Sequence, residues 1–155
     1  MPSGQDERFG SPLAIWVARL GLVFCAGAAL WRASLYVFSV AGRVALEVPE
    51  ASLTFMPIPD ALFVVVFLWL ALACGRPIRP WFLEAGIIAG LLHAATLVSY
   101  TIIFRGWTNA EALGFDRLST YLHVVIPVLV CLGFSGRLMQ IGLRRWQAGR
   151  RARAA

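Results

Sequence analysis

Two histidines, two threonines and an arginine–aspartate couple are the residues of this chain with chemistry to offer. His123 stands four residues before Pro127 in Tyr121-Leu-His-Val-Val-Ile-Pro127. A proline has no amide hydrogen, so the carbonyl four residues earlier, that of His123 itself, loses its helical donor. An imidazole, a free carbonyl and a kink then meet in one place. Thr120 and Asp116 share that helical stripe. With Tyr121, Asp60, Thr54 and Arg32 they supply the parts of a polar pocket. In it His123 would act as base and Thr54 or Thr120 as nucleophile, given approach to about 2.6–3.2 Å. The alternative is an interfacial histidine with Asp116 or Ser119 capping its helix.

Arg32 lies inside an apolar run. An unpaired arginine at mid-membrane costs about 2.5–3.5 kcal/mol on insertion scales, so it must pair, with Asp60 as the preferred partner, or snorkel to headgroups. His93 lies midway along another apolar run. Two membrane histidines raise bis-histidine haem ligation. However, His93 lies 11 residues below Phe104, about 16 Å deep, whereas His123 is about a turn from its end. Ligands of one haem need similar depths. Haem or pigment binding at His93, between chains, is therefore the weakest alternative, and an interhelical hydrogen bond to Ser99, Tyr100 or a neighbouring helix is favoured. No cofactor is expected, and no metal site, because the three cysteines form no C-x-x-C or Cys/His cluster. Cys25, Cys74 and Cys131 sit in apolar runs as packing residues.

The elements that must carry these groups follow from composition. Of 155 residues, 59% are hydrophobic and 14% charged, against about 25% charged in soluble domains. Mean hydropathy is +0.74. This excludes a soluble enzyme and a disordered chain, and the expected fold class is an all-α integral membrane four-helix bundle forming a single domain over 1–155. Spans of about 20 apolar residues cross the hydrocarbon, and four are expected at about 13–40, 61–74, 81–104 and 118–143. The second, 14 residues long, rises only about 21 Å. The apolar stretch before it, broken by Pro57 and Pro59, is expected to dip into the outer interface as non-helical backbone, with Asp60 as N-cap. The alternative is a thinned bilayer around a short helix. Gly86-x-x-x-Gly90, and Gly21, Cys25, Ala28 and Ala29, are small faces that suit either a compact bundle or a dimer.

All 14 basic residues are arginine, and six of them lie in 137–153. Arg8, Arg19, Arg76, Arg79 and the basic tail at 144–155 outweigh the charge of the other loops, so both termini are expected in the cytoplasm. The tail is read as an anchor on anionic lipid, not a nucleic-acid site. Trp81, Trp107 and Trp146 fall near span ends, as interfacial aromatics do. Arg19 interrupts the first apolar run and no cleavage site follows, which marks a retained anchor and not a signal peptide. Nucleotide-binding and hydrolase signatures are absent. No carboxylate lies deep in a span, which argues against a proton-coupled transporter.

From Phe55 to Phe134 the chain resembles bacterial six-helix membrane proteins related to the androgen-induced membrane threonine hydrolases. The shared features are Leu70-Ala-Leu-Ala-Cys-Gly-Arg-Pro77, Thr96-x-x-x-Tyr100 and Tyr121-Leu-His-Val-Val-Ile-Pro-Val128. The resemblance implies lipid-ester hydrolysis with His123 assisting a threonine. Met56 stands where the family has that threonine, Asp60 where it has asparagine, and the family's last two helices have no counterpart. The residues point to a small, multi-pass protein of a bacterial inner membrane. Its expected role is that of a non-enzymatic accessory or structural subunit, partnered by lipid and by itself or a larger complex. A membrane-embedded lipid-ester hydrolase is the alternative.

Overall fold

A computed structural model describes residues 9–42, 46, 50–103, 108–109, 111, 114 and 116–154, with backbone alone at 51, 52, 103, 117 and 120. The described residues are all-α. The helices are α1 (Pro12–Val40), α2 (Glu50–Phe55), α3 (Pro57–Ala73), α4 (Pro80–Ile103) and α5 (Arg117–Ala154). Four segments, Pro12–Val40, Leu53–Ala73, Pro80–Ile102 and Tyr121–Ala154, are long and apolar enough to cross a membrane. The protein is a polytopic membrane four-helix bundle. Large apolar side chains such as Leu13, Leu72, Ile102 and Leu129 lie on its outside, where lipid replaces the water that a soluble fold could not tolerate there.

Local chemistry sets the ends. Pro12 takes the first position of α1, where no amide is needed, and the Ser11 hydroxyl accepts from the Ala14 amide at 3.3 Å. At the second span the structure corrects the expectation of a non-helical dip. Residues 50–55 are helical, Met56 is a turn, and Pro57 and Pro59 both fall in the first turn of α3. Amides in a first turn have no intrahelical acceptor, so the prolines forfeit nothing. The N-cap position is held by Met56, and Asp60 sits inside the first turn. At that place its charge faces the positive end of the helix dipole. Leu53–Ala73 then supplies a largely apolar segment of 21 residues, about 31 Å of rise, and the bilayer need not thin. Helix α5 runs unbroken through Pro127 for 38 residues, about 57 Å, so its arginine-rich end projects well beyond a hydrocarbon layer of about 30 Å.

Helix α1 packs along α3 and also against α5, and α4 packs along α5, while α3 and α4 meet only sparsely. The bundle is therefore a ring of four with one splayed edge. Its centre is filled by Leu22, Cys25, Phe67, Leu70, Cys131 and Leu138. Both small faces are consumed within the chain. Gly21 lies under Val130, and the Cys25 sulfur sits 3.8 Å from that of Cys131, both free thiols. A Cβ on Gly86 would meet Leu138 and Phe134, and one on Gly90 would meet Ser135 and lie 3.1 Å from the Cys131 carbonyl. The Gly-x-x-x-Gly pattern thus serves the α4–α5 contact inside the bundle.

Arginines fix one end. Arg19 Nε donates to the Ala71 carbonyl at 3.1 Å, in the last turn of α3, where such carbonyls lack amide partners. Arg145 Nη2 donates to the Ile78 carbonyl at 2.6 Å, and Arg137 Nε to the Phe9 carbonyl at 3.3 Å. The start of α1, the α3–α4 turn and the C-terminal half of α5 therefore share one end of the bundle. Trp107 lies outside the described residues.

Gly90→Ala is expected to lower stability by about 1–3 kcal/mol through overpacking against α5. Gly133→Ala is the control, because nothing lies within 4 Å of its Cβ position, and it should leave the thermal unfolding midpoint in detergent unchanged or raise it, alanine being the better helix former.

Candidate functional site

The polar groups gather at the opposite end, where α1 and α4 finish and α3 and α5 begin. Arg32 is four residues before Tyr36 on α1, and Thr96 is four before Tyr100 on α4, so each pair shares a helix face. These faces converge with Asp60. Arg32 Nε donates to Asp60 Oδ2 at 2.9 Å, and Nη2 donates to Oδ1. Arg32 is 4% and Asp60 2% exposed, so this forked pair is buried and ties α1 to α3. Planar guanidinium suits such two-point binding of a carboxylate. The guanidinium carbon lies 5.9 Å from the Tyr100 ring centre, and Tyr36 meets Tyr100 edge-on at 6.4 Å. A cavity of about 350 Å³ opens beside the pair, lined in part by Tyr36, Thr96, Ser99 and Tyr100.

The remaining candidates lie on α2 and α5. Thr54 is exposed on α2, and no described hydrogen bond joins it to His123. The side chain of Thr120 lies outside the described residues. Tyr121 is exposed at 51%, and Pro127 is fully buried with its carbonyl 3.9 Å from the Cys25 sulfur. His123 is half-buried on α5. Its Nδ1 lies 2.8 Å from the Ser119 carbonyl, and its ring lies 5.3 Å from that of Trp31. Asp116 caps α5, its Oδ1 accepting from the Ser119 amide at 2.7 Å. Hydrogen bonds from Ser119 hold the Asp116 carboxyl below the usual carboxylate range. The cap therefore contributes fully above that range and is lost as pH falls through its lowered pKa. The helix cap of the alternative reading is thus formed by Asp116. The site brings Arg32 and Asp60 together and does not draw Thr54 and His123 into the same described contacts.

His93 corrects a second expectation. It is fully buried, but neither ring nitrogen has a hydrogen-bond partner, and Ser99 and Tyr100 do not reach it. Phe63 and Phe67 enclose it edge-on at 4.5 and 4.9 Å. The imidazole serves as an aromatic packing piece between α3 and α4. Among the described residues no three His, Cys, Asp or Glu side chains converge as metal ligands.

Tyr36 is a lining residue that the sequence pattern did not single out, and Thr96 and Tyr100 entered only through the family resemblance and as an expected partner of His93. Their signal is polar side chains at i and i+4 within apolar spans.

No protein-family model, curated protein or solved structure matches this chain. The resemblance to the six-helix threonine-hydrolase relatives is therefore set aside. The described residues build four spans and not six, and no matched family supports the borrowed roles. Four-helix packing explains the shared motifs without it: Cys74 fills core, Thr96 bonds the Leu92 carbonyl within its own helix, and Pro127 is packed beside Cys25.

His93→Leu is expected to be neutral or stabilising, because it removes a buried group whose hydrogen bonds are unmade; a fall in unfolding midpoint would show a hidden partner. Asp60→Ala, which strands a buried guanidinium, should cost about 3–5 kcal/mol by equilibrium unfolding in mixed micelles.

Proposed function

We propose that this protein is a non-enzymatic packing subunit of a bacterial inner membrane, with both termini cytoplasmic, that assembles with itself or with a larger membrane complex. The single observation that supports this is the use made of the intramembrane charges. Arg32 and Asp60 spend their strongest hydrogen-bonding groups on each other and hold α1 to α3. A carboxylate so occupied is a poor general base, and the one hydroxyl candidate described, Thr54, lies on the exposed side of a short helix. The orientation is supported by the arginine-fixed end, which the positive-inside rule assigns to the cytoplasm. The projecting end of α5, with Arg144, Arg150, Arg151 and Arg153 exposed, then lies beside anionic headgroups, each basic residue there contributing about 1 kcal/mol. Because both small-residue faces are spent inside the bundle, association uses the larger apolar side chains of its outer surface.

Gentle extraction of the full chain from native membranes, followed by native electrophoresis and mass spectrometry, is expected to give a species larger than a single chain in detergent. A monomer under every mild detergent contradicts the assembly role, and turnover of lipid esters by the purified protein contradicts the non-enzymatic one. Glu111→Cys should react with an impermeant maleimide from outside intact cells, and Ala148→Cys only after permeabilisation. The reverse pattern would overturn the orientation.

A further inference from the structure

The cavity beside the Arg32–Asp60 pair has a donor that the chain leaves unused. Arg32 offers three nitrogens. Nε and Nη2 are engaged by Asp60, but Nη1, equally buried, has no acceptor. Arg32 is itself a lining residue of the cavity of about 350 Å³, alongside Met56, Leu92, Ala95 and Ser99. A buried guanidinium N–H is costly to leave unmade. A cavity at the small end of the range for ligand sites, about 300–1,000 Å³, adjoins it.

We propose that this cavity binds the carbonyl-bearing end of a membrane-soluble amphiphile, whose carbonyl accepts from Arg32 Nη1 once a small side-chain shift brings that closed-off nitrogen to the cavity wall. Three features select this chemistry. First, the ligand must be an acceptor, because the free group is a donor. Second, it must be neutral. Asp60 already cancels the charge of Arg32, so a phosphate or carboxylate would bring a second anion against the Asp60 carboxylate in a low-dielectric site. Third, it must carry an apolar tail and enter sideways. The cavity is walled by α1, α3 and α4, and the sparse packing of α3 on α4 gives a tail a lateral way in between them. Leu92 and Ala95, both exposed on α4, line the path that the tail would take. An acyl-ester carbonyl of a glycerolipid and a ring carbonyl of an isoprenoid quinone both fit this description. This inference is independent of the packing role, since a bound amphiphile is compatible with either a monomer or an assembly.

The test uses the full-length protein in phosphatidylethanolamine–phosphatidylglycerol vesicles and two photoreactive probes. One is a phospholipid with a diazirine next to its ester carbonyl, and the other is an azido-benzoquinone with a prenyl tail. One of them is expected to label the α4 peptide spanning Ala95 to Ser99 saturably, and the probe that saturates names the source of the carbonyl. Ser99→Leu, which fills the cavity from α4, should reduce that labelling at least tenfold; Ala95→Leu on the same wall serves if the first variant does not insert. Labelling around Leu129, on the lipid face of α5, should rise in proportion to either probe and ignore both variants. The proposal is overturned if α4 labelling by both probes is merely proportional, as a water-filled cavity would give, or if saturable labelling survives both substitutions.

Discussion

An ionised side chain cannot sit alone in hydrocarbon, and the architecture of this protein is organised around that constraint. Arg32 enters the membrane on the first helix, and Asp60 enters on the second span. Neither is tolerable without the other, and each is nearly fully buried. Their forked contact fixes the rotation of α1 against α3 and the depth of the α3 start. The prolines before Asp60 then have one workable placement, in a first turn that needs no amides. The buried pair is evidence of specificity more than of raw stability, since well-packed apolar residues often serve a core equally well.

The two ends of the bundle use arginine in different ways. At the end where α1 begins and α5 finishes, Arg19, Arg137 and Arg145 donate to backbone carbonyls at a helix end, the segment before α1 and a turn. There arginine completes hydrogen bonds that a helix terminus leaves open. At the other end a single arginine is buried against a carboxylate, with one nitrogen left over. Between these ends the contacts are apolar and close, made possible by glycines beneath Val130, Leu138 and Ser135.

Much of this was legible in the residues. Hydropathy located four spans because about 20 apolar residues have few other uses. The pairing of Arg32 with Asp60 followed from the cost of an unpaired charge. Arginine placement anticipated that the first helix and the tail share an end. The misses have equally physical causes. Pro57 and Pro59 look like breakers to a local rule, yet a first helical turn absorbs them. His93 was expected to seek a hydrogen bond, but two phenylalanines from another helix surround it, a tertiary fact that no local pattern carries. Gly86 and Gly90 announced a close contact without naming the partner, and α5 is that partner. The cavity depends on the splay between α3 and α4, which spacing along one chain does not encode. Short motifs around Cys74, Thr96 and His123 suggested a family that four-span packing does not sustain.

The Arg32–Asp60 contact is the interaction on which the bundle closes. A thermodynamic cycle in bicelles tests it most directly, comparing unfolding of the parent protein with Arg32→Met, Asp60→Leu and the two together. Each single variant leaves one buried charge uncompensated, and the double variant leaves none. The expected result is that both singles are severely destabilised and the double recovers most of the loss, with strong coupling between the two sites. Simple additivity of the two single effects, or singles no weaker than the parent, would contradict the account.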